Sequence, residues 1–270
     1  MIKKLLLAAT LAMFVAPAVA VESIGTVTIP YKEYEALKQA TEAVKEDQYW
    51  NMTFLQILDK DNNNYKVAWD KYEFWSLRRI YLDSAVSGGS AEAVIEKIET
   101  LNLIDARPIT LVVNSPGGSV FDGFEILNAM NNSTAQINTV CDGWAMSMAA
   151  VIFANGSHRM MNQGCIFMIH EVATGAPGGQ TTTHIKFAET VINVENVLAE
   201  ILSENSGLSV KDVRRVWEYE TFYNAYETVA LGFADKVIGT TKRSAAEHTI
   251  PDILLPLNKM RRTYEERLTK

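Results

Sequence analysis

The sequence predicts an α/β fold with a mostly parallel sheet. From residue 78 onward, apolar segments of strand length alternate with helical segments, and the connections between them are short. The 270 residues, 48% of them apolar, can form a large core. A formal charge of −7 and the absence of a basic block argue against a nucleic acid partner.

The first twenty residues have the pattern of a bacterial signal peptide. Lys3 and Lys4 precede an apolar run from Leu5 to Val15, and Ala18-Val19-Ala20 has the small-residue spacing of a cleavage site. Cleavage after Ala20 would change the net charge from −7 to −9 and leave a periplasmic or secreted protein. An uncleaved anchor helix is the alternative, but the run is short and Pro17 interrupts it. No later segment predicts a membrane span.

Residues 21–77 are predicted to form an N-terminal extension. Residues 24–29 suit a short strand, and Pro30 opens a helical pattern. Residues 49–75 are rich in aromatic side chains, and the polar run 59–64 is typical of a hairpin loop between two strands. We interpret the aromatic residues as a small satellite layer that packs for burial. A partner-binding or regulatory surface is the alternative.

The regular pattern beyond the extension predicts four strands and four helices. The strands are expected at 79–82, 109–114, 137–141 and 165–169, and the helices at 91–101, 120–130, 147–154 and 181–206. Gly207 is expected to end the last helix. That helix carries apolar residues suited to burying a broad stripe: Ile185, Ala188, Val191, Ile192, Val194, Val197, Leu198 and Ile201. Residues 241–270 are predicted to be a peripheral C-terminal arm.

The two cysteines, Cys141 and Cys165, both lie in apolar runs that predict strands. In an oxidising compartment they could pair, whereas the interpretation that the sequence favours is two small buried core residues. Neither has a neighbour at the C-x-x-C spacing of zinc sites, so no metal site is predicted.

Ser147 is the candidate nucleophile. It follows a predicted strand and a glycine-containing turn at Gly143, and a helix is predicted to begin there, where backbone amides favour negative charge. A hydroxyl at a helix start is also a common N-cap, and Ser147 alone would be interpreted as one. His170 follows the next strand, and strand ends of such a sheet share one edge, so His170 could serve as the base that a serine requires.

Gly117 and Gly118 lie between a predicted strand and a predicted helix. A glycine pair at that position lets backbone amides face a site, which suits an oxyanion hole, although a tight turn without a role is equally compatible. A phosphate-binding loop is excluded because no Gly-Lys-Ser/Thr follows, and no cofactor is predicted.

These segments resemble the proteolytic subunit family of the Clp protease, serine peptidases that form barrel-shaped rings. The resemblance runs from about Arg78 to Val237 and defines a predicted peptidase domain at 78–240. It implies the Clp protease/crotonase-like fold of repeated β-β-α units, with residues 181–206 as the protruding handle helix that joins rings. The segments that carry it are Asn114-Ser115-Pro116-Gly117-Gly118-Ser119-Val120, Gly143-Trp144-Ala145-Met146-Ser147-Met148, Met168-Ile169-His170, Ala176-Pro177-Gly178-Gly179-Gln180 and Leu231-Gly232-Phe233-Ala234-Asp235-Lys236-Val237.

The resemblance also implies roles for individual residues. Ser147 is expected to be the nucleophile and His170 the general base. The backbone amides of Gly117 and Met148 are expected to form the oxyanion hole.

The third catalytic residue departs from the pattern of the family, which has an aspartate before an asparagine-phenylalanine pair. Phe222 sets the register here and places Glu220 at the aspartate position. A glutamate can orient a histidine, as it does in other hydrolases. Glu218 is the alternative, and a third possibility is that neither carboxylate reaches His170.

The function expected from these residues is that of a serine endopeptidase that hydrolyses peptides or unfolded proteins within a ring-shaped oligomer. The ring ATPase that feeds the family in the cytosol is a doubtful partner for a secreted chain, so residues 21–77 are hypothesised to restrict entry instead. Three alternatives remain: a non-catalytic scaffold or binding subunit, a crotonase-type acyl-CoA enzyme, and a Ser/Lys enzyme that uses Lys186.

Overall fold

The computed structural model describes residues 56–57, 60, 65–175 and 177–239. The predicted signal segment, the strand at 24–29, the helix after Pro30 and the arm at 241–270 lie outside the described residues, as does most of the polar run 59–64.

The described residues form helices and strands in alternation, which confirms the predicted α/β class. The helices are α1 (Tyr65–Lys71), α2 (Gly88–Ile104), α3 (Val120–Asn131), α4 (Met148–Ala154), α5 (Thr181–Ser206), α6 (Val210–Val216) and α7 (Ala225–Ala230), and a π-helical turn (Tyr72–Ser76) follows α1. The strands are β1 (Arg79–Leu82), β2 (Ile109–Ser115), β3 (Ile137–Met146), β4 (Arg159–Asn162), β5 (Ile166–Ile169), β6 (Thr221–Asn224) and β7 (Lys236–Ile238).

One sheet contains all seven described strands. Its main path runs β1-β2-β3-β4-β7, and β5 pairs with both β3 and β6. The β3–β4, β3–β5 and β4–β7 pairs are parallel, whereas β5 and β6 are antiparallel. The long strand β3 pairs with β4 through residues 139–141 and then with β5 through residues 144–146. This second pairing brings the ends of β3 and β5 together.

Strand β3 is longer than the sequence predicts. The predicted strand stops at Cys141 and a turn follows at Gly143, but the structure continues the strand to Met146. The reason is the pairing of Trp144, Ala145 and Met146 with β5, a non-local contact that local patterning does not reveal.

The segment after the polar run is helical, so the predicted hairpin strand is wrong there. Ala68, Tyr72 and Trp75 recur at the spacing of one helix face and form a small apolar cluster with Ile57. Among the described aromatic side chains, Tyr72 and Trp75 are partly buried against this cluster, whereas Trp69 is 38% exposed, so the satellite-layer interpretation stays a prediction.

Contacts divide the chain into two compact units. Among the described residues, the first comprises 56–57, 60, 65–80, 95–109 and 133–136. Within it, the buried Arg78 guanidinium donates to the carbonyl oxygens of Leu101 at 3.2 Å and Asp105 at 3.1 Å. Burial lowers the pKa of Arg78, and the Asp105 carboxylate at 3.3 Å opposes that shift. These bonds and the ion pair offset the cost of burying the cation through its two terminal nitrogens, while Nε has no hydrogen-bond partner among the described residues.

Among the described residues, the second unit comprises 81–94, 110–132, 137–175 and 177–239. Its core includes Phe167, which stacks on Phe233 at 5.2 Å between ring centroids and meets Phe153 edge-on at 6.2 Å. Arg159 is buried and forms two hydrogen bonds from its guanidinium to the Asp235 carboxylate, at 2.6 and 3.2 Å. This bidentate pair of hydrogen bonds joins the start of β4 to the segment before β7.

Cys141 of β3 and Cys165, directly before β5, form a disulfide with their Cα atoms 6.2 Å apart. Both residues are fully buried, as the sequence interpretation expects. The structure adds the bond between them, which the sequence left open. The disulfide joins the two parallel strands at the end opposite Ser147 and His170.

Helix α5 begins and ends where the sequence predicts, and Gly207 caps it with a φ of 76°. Its apolar stripe is only partly buried in the single chain. Leu198 is buried, but Ile185 and Ile192 are 55% and 53% exposed. No helix in the described ranges combines the length and the apolar character that crossing a bilayer requires.

Candidate active site

Ser147 occupies the single residue between strand β3 and helix α4. Its φ of 53° and ψ of −127° lie in a region that residues with a side chain rarely adopt. The backbone N–H of Ser147 donates to Met168 O at 2.8 Å, which ties this turn to β5. The side chain makes no helix-cap hydrogen bond, so the N-cap interpretation of Ser147 is wrong. The hydroxyl is free to point elsewhere.

His170 directly follows β5, and its ring meets Ser147. Because β3 and β5 are parallel and Met146 pairs with Met168, the residues after both strands lie at the same edge of the sheet. His170 Nε2 lies 2.8 Å from Ser147 Oγ. When the ring proton is on Nδ1, the serine hydroxyl donates to Nε2, which is the arrangement that activates a serine.

The glycine turn after β2 packs against Ser147. Gly117 has a φ of 85°, and a Cβ added there would lie 2.5 Å from Met146 O, 2.6 Å from Ser147 Cβ and 2.9 Å from Met148 N. Only a glycine permits this close approach. The Gly117 N–H donates to Ser115 Oγ at 3.2 Å. Met148 is the first residue of α4, where backbone N–H groups have no acceptor within the helix.

A cavity of about 350 Å³ opens beside the Ser147–His170 pair. Apart from this pair and from two carboxylates, at Glu171 and Glu220, the residues of its wall have apolar side chains or are glycine, so it suits a peptide side chain next to the hydroxyl. The lining residues are Pro116, Gly118, Val120, Ser147, Met148, Val151, Met168, Ile169, His170, Glu171, Val172, Ala173, Leu198, Leu202, Trp217 and Glu220.

Glu220 lies on the wall of this cavity but is exposed. Across the described residues, no hydrogen bond joins the Glu220 carboxylate to His170, and Glu218 is exposed as well. The segment that carries both glutamates is held by Tyr223, whose buried hydroxyl donates to Val216 O at 2.7 Å. Burial raises the pKa of Tyr223 to about 12, so the phenol remains a donor at neutral pH.

Two residues near the site were not found from the sequence. Trp217 is buried at the end of α6 and lines the cavity, and Glu195 on α5 accepts a hydrogen bond from the backbone two residues after His170. A signal existed for Glu195, because it shares a helical face with the buried Leu198 and Leu202 at i+3 and i+7.

The model of the family described as Clp protease matches residues 63–241, which is more than half of the chain. The chain belongs to the Clp protease family. Two relatives are each named "ATP-dependent Clp protease proteolytic subunit". The relative from Streptococcus suis (strain 98HAH33) is 35% identical over 169 residues, or 61% of this chain and 86% of that protein. The relative from Streptococcus pneumoniae (strain P1031) is 36% identical over 165 residues, or 60% and 84%.

Membership of the Clp protease family makes this chain a serine-type endopeptidase with the fold of that family. This chain brings together the strand-to-helix turn at Ser147, the imidazole of His170 and the glycine turn at Gly117. Among the described side chains, no group of three or more His, Cys, Asp or Glu is placed to hold a metal ion.

Proposed function

We propose that Ser147 is the nucleophile and His170 the general base of this endopeptidase. The distance of 2.8 Å between His170 Nε2 and Ser147 Oγ is the observation that carries the proposal. As Oγ attacks the scissile carbonyl carbon, its proton passes to Nε2; the C–N bond then breaks, and Nε2 returns the proton to the leaving amine. Water attacks the acyl-serine with His170 again as base, and Ser147 regains its proton as the acid product leaves.

The backbone amides of Gly117 and Met148 are the proposed oxyanion hole. The support is the contact of Gly117 with Ser147 and Met148, together with the position of Met148 at the start of α4. The Gly117 N–H donates to Ser115 Oγ. When the oxyanion forms, this N–H would donate to both oxygens or exchange Ser115 Oγ for the oxyanion as its acceptor.

The proposed substrates are peptides and unfolded polypeptides. The supporting observations are the apolar wall of the cavity next to Ser147 and the family to which the chain belongs. The stripe on α5 supports self-association into rings, since exposed apolar residues on one helix face favour a partner surface.

The proposed location is the periplasm or the exterior of the cell. The signal-like pattern of residues 1–20 supports it, and so does a buried disulfide, because disulfides persist in oxidising compartments. Such a protein would act without ATP and without a ring ATPase, with residues 21–77 restricting entry.

The proposal is tested with a fluorophosphonate probe and a fluorogenic peptide on the purified chain. We expect wild type to be labelled and Ser147→Ala to be neither labelled nor active, because the attacking oxygen is gone. We expect His170→Ala to lower kcat/KM by about 10⁴-fold, because no base then takes the proton. Ser157→Ala, at an exposed serine of the same unit, is the control and should match wild type.

The second candidate is a non-catalytic scaffold or binding subunit. The exposed position of Glu220, without a bond to His170 among the described residues, is the observation that favours it. A wild-type chain that is folded and oligomeric but takes up no probe would support the scaffold, and labelling that persists in Ser147→Ala would remove Ser147 as the nucleophile.

A further inference from the structure

The carboxylate of Glu195 reaches from the middle of α5 to the segment that follows His170. Its Oε1 accepts a hydrogen bond from the backbone N–H of Val172 at 3.0 Å. Its Oε2 lies 3.9 Å from Nη1 of Arg214 on α6. Val172 is only two residues beyond His170 and lines the cavity beside Ser147. The contact thus joins the long helix to the segment of the candidate base.

The Glu195 side chain is largely buried, which is unusual for a charged group. It is only 14% exposed, whereas Asn193 and Asn196 beside it on α5 are exposed. Burial of a carboxylate is costly unless hydrogen bonds and an opposite charge compensate, and here Val172 and Arg214 provide both.

Arg214 is itself held in place. Its Nη2 donates to Asn196 Oδ1 at 2.5 Å, and its guanidinium carbon lies 5.9 Å from the ring centroid of the buried Trp217. Trp217 is a wall residue of the same cavity. Glu195 therefore belongs to a connected group that spans α5, α6 and the segment after His170.

The backbone after His170 has few other anchors. Residues 171–175 belong to no helix or strand. Within the described part of the chain, the bond from Val172 to Glu195 is the one hydrogen bond that ties the backbone of 171–175 to another element. A catalytic side chain needs its own segment fixed, because small displacements of a base are costly to the rate.

We propose that Glu195 is a positioning residue for His170. By holding Val172 against α5, it fixes the direction in which the chain leaves β5 and therefore the direction of the imidazole toward Ser147 Oγ. The inference rests on the proposed role of His170 as the general base. Glu195 contacts neither the substrate nor the reacting atoms and acts only through the backbone.

The test compares Glu195→Ala with Glu195→Gln in the purified chain, on a fluorogenic peptide. Alanine removes the acceptor for the Val172 N–H, so we expect kcat to fall about tenfold with KM within about twofold. Glutamine keeps an amide oxygen at that position, so its kcat should stay within about threefold of wild type. Thermal unfolding midpoints of both variants should stay within about 3 °C of wild type.

Glu200→Ala is the matched control, because Glu200 is an exposed glutamate on the same helix. It should leave both kinetic constants unchanged. A Glu195→Ala protein with the kcat of wild type would overturn the proposal. The proposal would also be overturned if the alanine and glutamine variants lost kcat equally and both had a lower unfolding midpoint. That result would indicate that the carboxylate only stabilises the fold. If Ser147→Ala and His170→Ala abolish activity while Glu195→Ala does not lower it, only the positioning role fails and the catalytic pair stands.

Discussion

The backbone of Ser147 adopts a strained conformation, and neighbouring groups hold it there. Its N–H is bound to Met168 O, and Gly117 leaves no room for the turn to relax in its direction. Backbone strain of this kind persists only where several surrounding contacts hold the residue in place, and strained residues are concentrated at functional sites. The proposed nucleophile is therefore positioned mainly by its backbone, whereas the proposed base, His170, depends on a short segment with a single external anchor.

The expected role of Glu220 as the third catalytic residue can be tested directly by substitution. Glu220 lies on the cavity wall, and its side chain has three rotatable bonds, so its carboxylate can adopt other rotamers. We expect Glu220→Ala to lower kcat/KM by about 10²- to 10⁴-fold, because the variant lacks the carboxylate that the sequence register places third in the catalytic set. Steady-state hydrolysis of a fluorogenic peptide measures the effect.

Glu218→Ala is the control for that measurement, since Glu218 is an exposed glutamate only two residues away. It should retain the activity of wild type. A large loss in Glu218→Ala, with little change in Glu220→Ala, would transfer the role to Glu218. Full activity in both variants would mean that His170 works without either carboxylate.

Helix α5 is the element whose exposed surface calls for a partner. Ile185, Ala188 and Ile192 follow one another at the spacing of a single helix face, and all three are exposed. An apolar face of this kind costs free energy in water, so its burial against another copy of the chain would stabilise an oligomer.

Ile192→Glu tests this association, because a charge in the middle of the stripe is costly to bury. We expect a shift to smaller species in sedimentation velocity at matched concentration. Thr190→Glu places the same charge about 200° around the helix and should leave the oligomer unchanged. A wild-type chain that is monomeric, or an Ile192→Glu chain with an unchanged sedimentation coefficient, would rule out this surface.

The elements that the sequence predicted correctly are the long or strongly patterned ones. The bounds of helix α5 are predicted correctly because Gly207 ends it, and those of β2 and β5 are predicted to within one residue because continuous apolar runs mark these strands. The end of β3 was missed because its last residues are specified by pairing with β5. Strands β4 and β6 were missed because their four residues mix polar and apolar side chains, whereas the equally short β5 is a continuous apolar run.

The site was predictable to the same extent. Ser147, His170 and Gly117 could be assigned because each stands next to an element end that the pattern marks. The bond between Glu195 and Val172 could not, because it joins residues 23 positions apart through the packing of a helix on a loop. The orientation of Glu220 could not be assigned either, because the sequence register gives the position of a residue but not the rotamer of its side chain.

On the scale of the whole molecule, the signal-like segment and the disulfide make a joint prediction. We expect the chain isolated from the periplasm or the medium of its host to begin at Val21, because Ala18-Val19-Ala20 is the predicted cleavage site.

We also expect the isolated chain to show no reactive thiol in denaturant until a reductant is added, since its two cysteines are bonded to each other. N-terminal sequencing and thiol titration measure these two properties. An intact Met1 terminus, or two free thiols in the isolated protein, would contradict them.

The disulfide also encloses Ser147 in a covalent loop, and this loop persists when the chain is unfolded. The covalent loop from Cys141 to Cys165 contains Ser147 and all of α4 and β4, while His170 lies five residues outside it. Cross-linking a loop of this length lowers the entropy of the unfolded chain. In the chain-entropy model this raises the free energy of unfolding by about 3 kcal/mol at room temperature. An unfolded but oxidised chain therefore keeps the start of β5 next to β3. The loop closure that the parallel β3–β5 pair requires is then already complete before that pair forms.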